Sequence, residues 1–188
     1  MKKLFLFLTA VLMTVGVMAE GHMKFKGVEI NGKLQPFVAA LVKQNFKQMQ
    51  IDKETAVLVG TFNGQETMVC VYTTPSSYTV YQVGVIFTTD LEEWSKIWNL
   101  YTTYKTRLET KYGAPTEVVE ENHYYTKDDP LWAVKRDKAE YKTKYETENG
   151  NVGVSINKFP YPLDVQVCLF YVDKQNYELN EQEALEDL

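Results

Sequence analysis

The sequence predicts an α+β fold, an antiparallel β-sheet with two amphipathic helices packed on one face. Two observations lead to this prediction. The order helix, strand, Asn-Gly turn, strand, strand occurs twice along the chain, and both helices carry an apolar stripe that a sheet has to cover. We expect a single domain over residues 20–188, built from two tandem helix-then-three-strand units. Unit one covers about 24–88, and unit two covers about 89–172 with an insertion at 114–138, followed by an acidic tail at 173–188.

The first residues have the pattern of an export signal. Two lysines follow Met1, an apolar run extends over residues 4–15, and small residues precede Glu20. This order predicts a signal peptide at residues 1–19 that is cleaved after Ala19. The run is shorter than the roughly 20 apolar residues that cross a bilayer. We therefore expect an exported protein, periplasmic or secreted, with no integral membrane segment in the mature chain.

The charge balance narrows the range of partners. The chain has 20 basic and 25 acidic residues, and two lysines belong to the predicted signal, which leaves 18 against 25, a formal net charge of −7. Nucleic acids and anionic membrane surfaces are bound by clustered Lys and Arg. An acidic chain of this kind is a poor candidate for either.

Unit one is predicted to begin with a helix. Apolar residues recur at intervals of three and four from Leu34 to Gln44, which is typical of an amphipathic helix. Pro36 fits in its first turn, and Asn45 is suited to the left-handed conformation that ends a helix.

The helix of unit one is followed by a predicted β-hairpin. Asn63-Gly64 is a strong signal for a type I′ turn because both residues tolerate positive φ. The register then places Val57 opposite Cys70, and a third strand follows over residues 78–88. We expect the helices to cover the following sheet residues of both units: Val57, Val59, Met68, Cys70, Tyr145, Val154 and Ile156.

Unit two is predicted to begin with a long helix from Asp90 to Tyr112. Asp90 and Glu93 form a capping-box pattern, and Gly113 with Pro115 ends the helix. Its stripe consists of Leu91, Trp94, Ile97, Trp98, Tyr101, Tyr104, Leu108 and Tyr112. We interpret the stripe as a buried face, because so large an exposed apolar surface is unfavourable in water. The alternative is a row of rings that grips a ligand, with Tyr104 and Tyr112 as its best members.

The rest of unit two is predicted to be a second hairpin and a final strand. Asn149-Gly150 is another type I′ signal, and that turn places Tyr145 opposite Val154. The final strand extends from Asp164 to Val172.

The two cysteines lie in predicted strands. A disulfide between Cys70 and Cys168 is chemically allowed in an exported protein, but it requires Cα atoms within about 7 Å. Two buried free thiols are the alternative.

The insertion contains the best candidates for exposed recognition groups. Tyr124, Tyr125 and Trp132 lie among polar residues and belong to no regular pattern of apolar residues, and Tyr161 lies between two prolines. Tyr and Trp give large contact areas at low entropic cost, so these four residues are our predicted binding residues. Trp132 is alternatively an anchor of the insertion, in a short helix capped by Asp129.

The sequence shows no recognisable catalytic, metal or cofactor motif. It contains neither Gly-x-Ser-x-Gly nor His-Glu-x-x-His nor a phosphate-binding glycine loop. Glu120, Glu121, His123, Asp128 and Asp129 lie close together, but their spacing fits no zinc or EF-hand pattern. We interpret them as solvated and turn-capping side chains, and we expect no catalytic residues, no metal and no cofactor.

The segment MKFKGVEINGKLQPFVAALVKQNF, with TFNGQ after it, resembles the mature start of small exported proteins of uncharacterised function from Bacteroides-type bacteria. The resemblance extends from Met23 to about Thr88, and RLETKYGAP adds a weaker match. The doubled unit order is also similar to tandem modules of the β-lactamase-inhibitor-protein type, from which the insertion at 114–138 departs. These resemblances imply structural turns and a binding role, and no catalytic residues.

We therefore expect an exported, non-catalytic binding or interaction module of the bacterial cell envelope. Its partner is a protein, peptide or glycan that contacts the insertion or an exposed sheet face. The alternatives are an enzyme of unrecognised type, with Glu120, His123 or Asp128 in its chemistry, and a structural or assembly protein of the envelope.

Overall fold

The structure is a computed structural model that describes residues 21–88, 93–123, 129–160 and 162–186. The predicted signal peptide and the capping residue Asp90 lie outside these ranges. The helices are α1 (Leu34–Val42), α2 (Trp94–Tyr112), α3 (Pro130–Lys135) and α4 (Lys174–Glu186). The strands are β1 (Lys24–Phe25), β2 (Val28–Glu29), β3 (Lys47–Ile51), β4 (Thr55–Phe62), β5 (Gln65–Thr73), β6 (Val80–Phe87), β7 (Glu117–Asn122), β8 (Ala139–Thr147), β9 (Gly150–Lys158) and β10 (Val165–Asp173).

Eight strands form one antiparallel sheet in the order β3-β4-β5-β6-β10-β9-β8-β7, and β1 with β2 forms a separate hairpin. The predicted pair of helix-then-three-strand units is wrong. More residues lie in strands than in helices, four strands follow α1, and α2 is followed by β7, α3 and three further strands. Sequence periodicity did not reveal β3, because it is an edge strand with mostly exposed side chains and therefore lacks the apolar alternation of a half-buried strand.

The first hairpin has the predicted turn and register but the opposite face toward the helices. Asn63 and Gly64 have φ of 50° and 81°, and Val57 pairs with Cys70. The side chains in the core are those of the other face, such as Leu58 and Val69, both 0 % exposed. Both faces of these strands are apolar, so alternation alone did not show which one the helices cover.

The second hairpin turns one residue earlier than predicted, which shifts the cross-strand pairing by two residues. Gly150 belongs to β9 and pairs with Thr147, so Tyr145 lies opposite Val152 rather than Val154. A shift of two residues keeps every side chain on its predicted face. Tyr145 is accordingly buried, and its hydroxyl donates to the carbonyl of Lys105 in α2 at 2.8 Å.

The middle of the α2 stripe is buried as predicted. Ile97, Tyr101, Tyr104 and Leu108 are buried, and the Tyr101 hydroxyl is 2.7 Å from the Thr143 hydroxyl on β8. The ends of the stripe differ from the prediction, because Trp94, Trp98 and Tyr112 are only partly buried. The helix therefore has a covered centre and a partly open surface at each end.

Residues 174–186 of the predicted acidic tail form a helix. In α4, the Glu183 carboxylate accepts the backbone N–H groups of Ser76 at 2.8 Å and Ser77 at 2.9 Å. Burial raises the pKa of Glu183, but these bonds and the nearby hydroxyls outweigh it and lower the pKa to about 2. Hydrogen bonds to a distant loop hold α4, and such contacts leave no periodic apolar pattern in the sequence.

The β1–β2 hairpin is fastened to the junction of β10 and α4. The Asp173 carboxylate is 0 % exposed and accepts the Met23 N–H at 2.7 Å, while His22 Nδ1 lies 3.1 Å from both of its oxygens. At the other end of the hairpin, the Asn176 side chain donates to the carbonyl of Ile30 at 2.9 Å. His22 is thus part of this attachment.

Phe25 holds the centre of the hairpin. Its ring is 1 % exposed and stacks on Phe62 with centroids 5.8 Å apart, while the Tyr171 ring lies 5.3 Å away. These ring contacts hold the hairpin in place beside α2 and β10.

Both cysteines are free thiols. Cys70 pairs across β5 and β6 with Gly84, and Cys168 pairs across β10 and β6 with Ile86. With β6 between them, their Cα atoms are separated by two strand spacings, about 9.6 Å or more, which exceeds disulfide reach. Within the described residues, no helix is both long and apolar enough to cross a membrane.

Candidate ligand-binding cleft

A cleft of about 410 Å³ lies where the β1–β2 hairpin meets the C-terminal half of α2. The β4–β5 turn and β10 complete its walls. This volume is within the range of small-molecule sites, about 300–1,000 Å³.

Four cationic side chains line the cleft: Lys24 and Lys26 on the hairpin, and Arg107 and Lys111 on α2. None of its described lining residues is acidic. Lys24 pairs with Glu29 at 3.3 Å on the surface, whereas the other three make no ion pair within the described part of the chain. The cleft thus concentrates unpaired positive charge on a chain whose formal net charge is −5, and such a concentration favours an anionic ligand.

Local geometry explains how these cations converge. Lys26 and Gly27 have φ of 52° and 80°, so the chain reverses tightly and leaves Lys26 exposed at the tip of the hairpin. Arg107 and Lys111 are four residues apart in α2 and therefore lie on one face of the helix.

Aromatic rings lie beneath the cations. Lys26 Nζ is 5.9 Å from the centroid of the Phe62 ring, the Arg107 guanidinium carbon is 5.3 Å from that of Tyr104, and Lys111 Nζ is 4.8 Å from that of Tyr112. Cations at such distances are attracted to the ring faces. The cleft consequently has a charged rim above an aromatic floor.

The floor also contains phenol hydroxyls. Burial raises the pKa of Tyr104, and the neighbouring Asn63 and Arg107 side chains partly oppose this rise. Burial also raises the pKa of Tyr171, and the nearby Tyr112 and Tyr104 raise it further. These phenols are therefore neutral hydrogen-bond donors at neutral pH. The Tyr104 hydroxyl is buried and makes no hydrogen bond of good geometry in the part of the chain that the structure describes, although Asn63 and Arg107 lie near enough to oppose the rise in its pKa.

A second, more open pocket of about 390 Å³ lies at the other end of α2. The rings of Trp94 and Trp98 stack at 5.9 Å, and Tyr141 lies 5.0 Å from Trp94. Glu120 is the one carboxylate among the described lining residues. Its Oε1 lies 2.5 Å from Lys105 Nζ and 3.2 Å from the Tyr101 hydroxyl, so Glu120 is engaged with α2.

The predicted binding residues are not brought together by the described part of the structure. Tyr124, Tyr125 and Tyr161 lie outside the described residues. Trp132 is 49 % exposed, and the Arg136 guanidinium carbon lies 5.2 Å from its ring centroid. The expected cap of its helix is confirmed, because the Asp129 carboxylate accepts the Trp132 N–H at 3.0 Å.

The acidic and histidine residues of the insertion also lie apart. His123 Nε2 is 2.9 Å from Glu121 Oε2, and both side chains are mostly exposed, whereas Glu120 contacts α2. Asp128 lies outside the described residues. Among residues 21–88, 93–123, 129–160 and 162–186, no three His, Cys, Asp or Glu side chains are grouped to hold a metal ion.

Sequence reasoning missed the four cations and found two of the rings. Tyr104 and Tyr112 were the members of the α2 stripe that fitted a ligand-gripping row, and both line the cleft. No protein-family model, curated protein or solved structure matches this chain.

Proposed function

We propose that this protein is an exported, non-catalytic binding module that holds a small anionic molecule in the cleft between the β1–β2 hairpin and α2. The observation that carries the proposal is the charge of the cleft. Its rim has four cationic and no acidic side chains among the described lining residues, although the chain has a formal net charge of −5. Unpaired cations around a concave apolar surface are suited to orienting an anion.

Other features support a binding rather than a catalytic role. Glu120 and His123, the residues of the enzyme alternative that the structure describes, contact different partners, and the described residues that line the cleft include no Asp, Glu or His. Export is supported by the pattern of residues 1–19 and by the resemblance of residues 23–88 to small exported proteins of Bacteroides-type bacteria.

Calorimetric titration with 2-naphthoate tests the proposal. This probe combines an aromatic body with one carboxylate, and we expect saturable binding to the mature protein. Lys26→Glu and Arg107→Glu should each weaken binding at least about tenfold, because a charge-assisted hydrogen bond contributes about 1.5–3 kcal/mol. Raising the ionic strength should weaken binding by the parent protein in the same direction.

Lys138→Glu is the matched control. Lys138 is exposed and lies three residues before Tyr141, which packs on Trp94 at the end of α2 remote from the cleft. This variant adds the same negative charge and should bind the probe almost as the parent does. Equal losses in Lys138→Glu and Lys26→Glu would show that the net charge of the protein, not the cleft, governs binding.

A second candidate is docking of a glycan or peptide at the insertion. The exposed Trp132 ring supports it, together with the open aromatic pocket around Trp94 and Trp98. Trp132→Ala should lower the recovery of such a partner from envelope extract and leave the melting temperature nearly unchanged, because surface substitutions rarely exceed about 0.5 kcal/mol. Val118→Ala, which truncates another exposed apolar side chain, is the control. Equal recovery by Trp132→Ala and the parent would exclude this ring as the contact.

A further inference from the structure

We infer that the ligand of the cleft is an amphipathic anion, with an acidic head at the cationic rim, an apolar ring system on the aromatic floor and a polar atom that the Tyr104 hydroxyl binds. The inference rests on the proposed function and names the chemical class of its ligand. It predicts that such molecules bind more tightly than bare anions such as inorganic phosphate.

The division between rim and floor supports the amphipathic character. Lys26, Arg107 and Lys111 are exposed, whereas the rings of Tyr104 and Tyr171 are 2 % and 9 % exposed. A bare anion meets the charges at the rim and leaves uncovered the part of the floor that water still reaches, such as the partly buried Tyr112 ring. A ligand with a ring system also removes that apolar surface from water, which is the main source of affinity in a concave site.

Tyr104 supplies the third requirement. A buried hydroxyl without a partner is unfavourable, and few such groups occur in folded proteins. The exposed Arg107 side chain lies over the Tyr104 ring and opposes the rise in the pKa of its hydroxyl, so an acidic head that attracts this guanidinium draws it away from the phenol. A polar atom on the body of the ligand then gives the Tyr104 hydroxyl its hydrogen bond.

Three probes test the inference by competition and calorimetry: inorganic phosphate, 2-naphthoate and 6-hydroxy-2-naphthoate. The two naphthoates differ only in a hydroxyl remote from the carboxylate. We expect phosphate to compete weakly at matched ionic strength, and 6-hydroxy-2-naphthoate to bind about three- to tenfold more tightly than 2-naphthoate, as one additional neutral hydrogen bond provides.

Tyr104→Phe identifies the group that recognises the hydroxyl. This variant should bind both naphthoates with equal affinity and should keep or raise the melting temperature, because it removes a hydroxyl that has no partner. Tyr145→Phe is the control. Its hydroxyl is bonded to the Lys105 carbonyl, so the loss should lower the melting temperature and leave the preference for 6-hydroxy-2-naphthoate intact.

The outcomes separate the two proposals. Phosphate that competes as well as the naphthoates, or a preference for the hydroxylated probe that survives in Tyr104→Phe, overturns the inference and leaves anion binding standing. If none of the three probes binds, the proposed function itself fails.

Discussion

Replacing Asp173 should loosen the β1–β2 hairpin and destabilise the whole protein. The fully buried carboxylate accepts the N–H groups of Met23 at 2.7 Å and Asn176 at 3.0 Å. Asp173→Ala leaves both N–H groups unpaired, and a buried unpaired group costs about 1–3 kcal/mol. We therefore expect a loss of about 2–6 kcal/mol in the free energy of unfolding. Asp173→Asn keeps one carbonyl oxygen and should lose about half as much.

Urea unfolding followed by circular dichroism measures the loss, and amide hydrogen exchange locates it. The Ile30 N–H donates to the Met23 carbonyl at 2.7 Å, so its exchange should accelerate in Asp173→Ala more than exchange in β9 does. At about 2–4 °C per kcal/mol for a protein of this size, the melting temperature should fall by roughly 4–24 °C.

Asp137→Asn is the matched control for Asp173. The Asp137 side chain is 75 % exposed and pairs with Lys158, and exposed ion pairs contribute about 0–1 kcal/mol. A change in Asp173→Ala as small as that in Asp137→Asn, with unaltered exchange at Ile30, would refute the role of Asp173 in holding the hairpin.

Three further predictions concern packing, pH and thiols. A Cβ at Gly153 would lie 2.2 Å from Phe170 Cζ and 2.4 Å from a backbone oxygen of β8, so Gly153→Ala should cost about 1–3 kcal/mol in urea unfolding; a neutral effect would contradict this packing. The pKa of Glu183 is lowered from 4.5 to about 2, so the contribution of its ionised carboxylate to stability is complete above pH 4.5 and disappears as the pH falls to about 2. Glu183→Gln should therefore be less stable than the parent at pH 6 and equally stable near pH 2. A stability difference that stays constant with pH would contradict the role of this carboxylate. Burial raises the pKa of Cys70, and raises that of Cys168 to about 12. Mass spectrometry after alkylation without reductant should therefore show two free thiols that react fully only after unfolding. A mass two daltons lower than that of the reduced chain would instead reveal a disulfide.

Local chemistry made part of the fold predictable. The Asn63-Gly64 turn, the left-handed Asn45 with φ of 69° and the Asp129 cap depend on residues within a few positions of each other. The conformational propensity of single residues and hydrogen bonds between close neighbours in the sequence determine these features, so the sequence pattern and the structure agree on them.

Long-range packing made the rest unpredictable. Val57 and Leu58 lie on opposite faces of β4 and are both apolar. The face that the helices cover therefore depends on which elements pack on the sheet, and the local sequence does not show this. The α4 helix depends on Glu183 reaching a loop more than 100 residues away in sequence, and no periodic pattern records such a contact.

The cleft was hidden for a similar reason. Lys26 and Arg107 are about 80 residues apart in the sequence, and each alone is an ordinary exposed cation in an acidic protein. Tyr104 and Tyr112 were recognisable as candidates because a helix of known period carries them. Arg107 and Lys111 contact those rings within α2 itself, whereas the approach of Lys24 and Lys26 depends on Asp173 and Phe25, which fasten the hairpin beside α2.

Chemical-shift mapping of the mature protein with 2-naphthoate tests the location of the site most directly. We predict that the largest amide shifts fall at Lys26, Gly27, Asn63 and residues 104–112. Shifts concentrated instead around Trp132, with the hairpin and the end of α2 unchanged, would contradict the assignment of the cleft as the binding site.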